Sequence, residues 1–97
     1  MPVDRIEIEN FISPGPKYRV ERAKYEPMRD ALLKVLPANE PGLTVAEAKA
    51  AVLPLLPQDM FPGGEKAGWW LKAAQLDLEA KGRIRRGKGS PVRLFRV

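Results

Sequence analysis

Leu78-Glu79-Ala80-Lys81-Gly82-Arg83-Ile84-Arg85-Arg86 is the stretch whose reading decides the fold. Leu78 ends a run of apolar residues at helical spacing, and Gly82 supplies the left-handed residue that stops a helix without a Cβ clash. Ile84 then stands between charged neighbours, which is the alternation of a half-buried strand. A helix therefore passes into a strand through one glycine. Beyond it, Gly87-Lys88-Gly89-Ser90-Pro91 reads as a turn and Val92 to Val97 as a returning strand, so residues 83–97 form a hairpin. Two inward sets are open for the last strand, Val92 with Leu94 or Phe95 with Val97.

Upstream, the helix is predicted over residues 65–81, with Gly63-Gly64 before it and Glu65 in an acidic first turn. On a wheel of 100° per residue, Ala67, Leu71, Ala74 and Leu78 share one face. Trp69, Ala73, Leu76 and Ala80 lie nearly opposite, so the helix has two apolar faces. Gly68, Lys72, Gln75 and Glu79 form one polar strip between them; Lys66, Trp70, Asp77 and Lys81 form the other.

A second helix starts at Thr44-Val45-Ala46-Glu47, which has the form of a capping box. Its apolar face is Val45, Ala48, Val52 and Leu55, and Pro54 forces an end or a kink near Leu53. A first helix begins at Lys24, with Tyr25, Met28, Leu32, Val35 and Leu36 at helical spacing. Pro27 places it in the first turn, and Pro37 ends it. Leu43 fits a very short strand contact. At the N-terminus, Ile6 and Ile8 alternate with Arg5, Glu7 and Glu9, and Tyr18 and Val20 alternate with charge after the turn Ser13-Pro14-Gly15-Pro16. These two segments predict a hairpin with Lys17 and Arg19 facing Glu7 and Glu9.

The 97 residues suit one α+β domain. Residues 1–22 form an N-terminal β-hairpin extension and residues 23–97 the core. The order of helix, helix, long helix and basic hairpin resembles a winged helix-turn-helix, with residues 83–97 as the wing. The Leu78 to Arg86 junction resembles the recognition-helix to wing junction of bacterial winged-helix regulators, including those of the multiple-antibiotic-resistance type. Phe61-Pro62-Gly63-Gly64, Gly68-Trp69-Trp70 and Gln75 to Gly82 are similar to a family of small uncharacterised bacterial proteins with a winged-helix-like domain. That resemblance implies a fold across nearly the whole chain and no particular activity, because winged helices serve DNA binding, protein interaction and dimerisation alike.

Composition narrows the chemistry. With no histidine and no cysteine, Cys/His zinc sites, Cys-His nucleophiles and the usual proton shuttle near neutral pH are excluded. Asp77 and Glu79 are two apart on a helix and so diverge. Phe61-Pro62-Gly63-Gly64-Glu65-Lys66 lacks the spacing and the hydroxyl of a phosphate loop. The expectation is a non-enzymatic module without cofactor, metal or catalytic residues. The acidic N-terminal segment and the proline-broken apolar stretch from Ala50 to Leu56 point to a cytoplasmic protein with no membrane partner.

The net charge of +5 is unevenly divided. Residues 81–97 carry seven bases and no acid, while residues 1–80 hold the other ten bases and all 12 acids. That division makes duplex DNA a candidate partner in a transcription-regulator-like role, with Arg83, Arg85, Arg86, Lys88 and Arg93 on phosphates. Lys66, Lys72 and Gln75 are the candidates for groove contact, with Asp77 and Glu79 opposing phosphate approach. The alternative is a protein-interaction or homodimerisation module using Trp69, Ala73 and Leu76. Cover by the N-terminal hairpin, a protein or self interface, and base stacking compete for that face. The average behaviour of tryptophan favours burial of both Trp69 and Trp70.

Overall fold

The computed structural model describes residues 4–13, 15 and 17–97; Pro14 and Pro16 of the expected N-terminal turn lie outside them. The protein is α+β, and its elements follow the order anticipated from the sequence. Strands β1 (Arg5–Ile8) and β2 (Tyr18–Glu21) pair antiparallel, with Glu7 opposite Arg19 and Ile8 opposite Tyr18. Lys17 reaches Glu7 at 3.6 Å. Helix α1 (Arg22–Val35) follows without a loop. Its last residues are set by proline: Leu36, before Pro37, has ψ 135°, the extended conformation imposed on a residue preceding a proline ring.

Pro27 is six residues into α1 rather than in its first turn. The bond it cannot make belongs to the carbonyl of Ala23, an exposed residue whose carbonyl can turn to water, so the helix starts earlier than the proline suggests. A short strand β3 (Leu43–Thr44) leads into helix α2 (Val45–Val52). The capping box is complete: Glu47 N–H donates to Thr44 Oγ1 at 3.1 Å, and Thr44 N–H donates to Glu47 Oε1 at 2.9 Å. After Val52 the chain tightens into a 3-10 turn over Leu53–Leu55 that contains Pro54. The tighter winding shifts the phase, so Leu56 is buried and Leu55, expected on the α2 core face, is exposed.

Helix α3 (Ala67–Ala80) begins two residues later than predicted and has no acid in its first turn. Gly63 and Gly64 form a separate 3-10 turn, and Lys66, at φ 60°, makes the left-handed step into the helix. Its far end behaves as read. Gly82 has φ 72°, Arg83 N–H donates to the Leu78 carbonyl at 2.8 Å and Gly82 N–H to that of Glu79 at 3.1 Å. This double closure is a Schellman motif. Strands β4 (Ile84–Arg86) and β5 (Arg93–Arg96) make the C-terminal hairpin. The sheet order is β3-β5-β4, antiparallel throughout, so the last strand is central. Gly42 is indispensable to that arrangement, because a Cβ there would stand 2.2 Å from the Leu94 carbonyl oxygen.

The core joins Tyr25, Met28, Leu32 and Leu36 of the α1 segment to Ala48 and Val52 of α2, the Ala67/Leu71/Ala74/Leu78 face of α3, and Ile84 and Leu94 of the sheet. Leu94 is buried and Val92 packs against the core, whereas Val97 is exposed, which selects the first of the two inward sets. Among the described residues, no helix is long and apolar enough to cross a membrane.

Candidate nucleic-acid interface

Helix α3 has two halves with different surroundings. From Gln75 to Glu79 five consecutive residues are buried, so this half is enclosed on every side. The segment after β1 crosses it, with Glu9 N–H donating to Asp77 Oδ1 at 2.8 Å and Phe11 N–H to the Leu76 carbonyl at 3.2 Å. The first two turns are open: Gly68, Trp69 and Lys72 are exposed. Hairpin cover is thus one answer to the second apolar face, and it reaches Leu76 but leaves Trp69 59% exposed. Trp70 is buried, so the expectation that both tryptophans are buried holds for only one of them.

The polar strips of the wheel are not solvent strips. Asp77 accepts from the Tyr25 hydroxyl, from Glu9 N–H and from Lys81 Nζ, which lies 2.9 Å from Oδ1. Burial, reinforced by the Asp77 carboxylate it bonds to, holds the Tyr25 phenol far above the usual tyrosine range. Gln75 donates from Nε2 to Glu79 Oε1 at 3.0 Å, and Arg86 Nη2 holds Glu79 Oε2 at 2.7 Å. Gln75, at 1% exposure, therefore lies beneath the surface, and a groove contact through it is corrected to a structural role. Asp77 and Glu79 do not face an approaching phosphate as free charges, because each has its own cation. Lys81 for Asp77 and Gln75 for Glu79 are i,i+4 neighbours on or beside α3, whereas Tyr25 comes from α1, the Glu9 amide from the segment after β1 and Arg86 from β4.

The same pairings sort the C-terminal cations. Lys81 is committed to Asp77 and Arg86 to Glu79, while Arg96 Nε donates to the Leu36 carbonyl at 2.7 Å. The Arg86 guanidinium, expected among the phosphate contacts, also lies 5.3 Å from the Phe11 ring centroid, so within the fold it fastens the N-terminal segment. Arg93 is 3.5 Å from Glu47 in a pair exposed on both sides, which solvent screens. Arg83, Arg85 and Lys88 are exposed and, among the described residues, pair with no carboxylate. Gly87 N–H donates to the Arg93 carbonyl at 2.8 Å and closes the hairpin below the tip that carries Lys88.

At the open end of α3 the cations are Lys66, Lys72 and, missed in the sequence, Lys49 of α2. A Cβ on Gly68 would stand 3.6 Å from the Lys49 ammonium, an ordinary contact distance, which places this lysine against the first turn of α3. Trp69 packs edge-on against Trp70, with centroids 4.9 Å apart and planes at 75°. Trp69, Lys72, Ala73 and Leu76 face Ile8, Tyr18 and Val20 of the N-terminal hairpin across a groove of about 410 Å³. The expected interface residues Trp69, Ala73 and Leu76 are thus together, on one wall of that groove.

The chain belongs to the family of unknown function DUF6958, whose model matches residues 5–94. No curated protein and no solved structure matches it.

Proposed function

We propose that this DUF6958 member is a non-enzymatic winged-helix module that associates with duplex DNA, its C-terminal hairpin acting as a wing that contacts phosphates. The observation that carries the reading is the set Arg83, Arg85 and Lys88: three exposed cations on one hairpin, without carboxylate partners among the described residues. The connectivity α1, β3, α2, α3, β4, β5 with β5 central supports it, because this is the strand order of a winged helix-turn-helix. Lys66 and Lys72 extend the positive surface to the first turns of α3, the part of a recognition helix that meets base edges. Arg93 adds to it once its exposed pair with Glu47 is screened.

The test is fluorescence anisotropy with labelled duplex DNA over a salt series. Each phosphate neutralised contributes about −0.9 to the slope of log K against log salt. The triple variant Arg83→Ala/Arg85→Ala/Lys88→Ala is expected to bind more weakly on every duplex and to flatten the slope by about 2 to 3. Undetectable binding at low salt, or a slope unchanged in the triple variant, removes the proposal.

A second reading has its own observation. Trp69 is an exposed large aromatic beside a groove, which suits a protein or homodimer contact. Sedimentation distinguishes them, since self-association through this face gives twice 10.8 kDa and is lost on Trp69→Asp.

A further inference from the structure

The groove between the N-terminal hairpin and α3 has a composition that self-association does not explain. Its apolar floor is Ile8, Ala73 and Leu76, and two exposed aromatic residues, Trp69 and Tyr18, stand on opposite walls, one from the helix and one from β2. Trp69 is not a loose surface ring. It makes an edge-to-face contact with the buried Trp70 and leaves most of its surface open to a stacking partner. Lys72 and Arg19 border the groove, and Lys66 caps the start of α3, where Lys49 approaches Gly68. None of these four cations pairs with a carboxylate among the described residues; Lys17 takes Glu7, the acid opposite Arg19 in the strand register. Glu9 is the acid on the rim.

Aromatic platforms interleaved with cations are what an unpaired nucleic-acid strand needs, because each base offers a π face and each phosphate a charge. With Lys72 and Arg19 against the single carboxylate of Glu9, the rim carries an excess of positive charge that suits a polyanion. We infer that this groove binds single-stranded nucleic acid, with a base stacked at Trp69 and Tyr18 and the adjoining phosphates on Lys72 and the cations at the start of α3. The site shares Lys72 and Lys66, at the start of α3, with the duplex surface proposed above, but it uses none of Arg83, Arg85 and Lys88 and takes a different form of nucleic acid.

Titration of the full chain with an oligo(dT) of about ten nucleotides, followed by tryptophan fluorescence and by anisotropy, tests it. Binding should quench the fluorescence. Trp69→Ala should weaken oligo(dT) binding about 5-fold to about 150-fold, the loss of one stacking platform, while Trp69→Phe restores most of it. Tyr18→Ala should weaken it as well, and Lys72→Ala should lower the salt dependence. The triple variant of Arg83, Arg85 and Lys88 should keep its oligo(dT) affinity whatever happens to duplex binding, so this inference and the wing reading fail separately. Absence of oligo(dT) binding at low salt, equal affinity of the Trp69→Ala chain, or sedimentation as a dimer that Trp69→Ala converts to monomer each overturns it.

Discussion

Asp77 is fully buried, and three donors from different parts of the chain make that tolerable. A carboxylate without them would cost several kcal/mol to desolvate. The Tyr25 hydroxyl is the donor whose removal is cleanest to read, because phenylalanine keeps the ring that packs in the core. Tyr25→Phe is expected to lower stability at pH 7 by about 1 to 3 kcal/mol, measured by urea denaturation, since Asp77 loses a buried partner. The pH dependence has a definite sign. The Tyr25 phenol is raised in the folded state, so its contribution is complete below the unfolded value of about 10 and falls as the pH rises above it. The variant should therefore lose stability less steeply than the parent between about pH 10 and pH 11; parallel curves would show that Tyr25 does not titrate against folding. A helical wheel could not reveal this cluster. It registers the neighbours of Asp77 on its own helix, whereas Tyr25 is 52 residues away in sequence and Glu9 contributes a backbone group.

Element boundaries show where local chemistry suffices. The Thr44/Glu47 box and the Gly82 cap are closed by residues at most five apart, and both were legible in the sequence. Pro27 and Leu55 were not, since one depends on which carbonyl is wet and the other on a phase shift after Val52. Gly82 provides a test at this scale. A Cβ there meets no atom within 4 Å, so Gly82→Ala is charged only for holding an L-residue at φ 72°. The expected loss is about 1 to 2 kcal/mol, seen as a lower urea midpoint with an unchanged slope. The tryptophans make a second test. Trp70→Ala should cost about 3 to 5 kcal/mol, and Trp69→Ala, which forfeits mainly its ring contact, less than about 1.5 kcal/mol. Equal losses would show that Trp69 is held in the core after all.

For the whole molecule, the division of charge and the division of α3 have a common origin in the N-terminal hairpin. Its backbone bonds and the Arg86 to Phe11 contact enclose the C-terminal half of α3, so Arg86 and Lys81 are spent on internal acids, and the C-terminal cations left without a carboxylate are Arg83, Arg85 and Lys88 along the β4–β5 hairpin. The net excess near Lys81 to Val97 was visible as composition, but which cations remained free required the fold. The hairpin itself is small: two strands of four residues in which Ile8 is buried, Ile6 and Val20 pack partly buried against the core, and Tyr18 is left exposed. An isolated two-stranded hairpin is marginal in water, so its amides should exchange hydrogen through local openings that cost less than global unfolding. Amides of Leu76 to Ala80 should exchange only with global unfolding. Ile8→Ala should widen the gap by speeding exchange in β1 and β2, and saturating oligo(dT) should narrow it, because a strand held between Tyr18 and Trp69 binds only the docked hairpin. Uniform protection across hairpin and helix in the free protein would mean that the two open as one cooperative unit. Both walls of the groove would then be permanent features of the core.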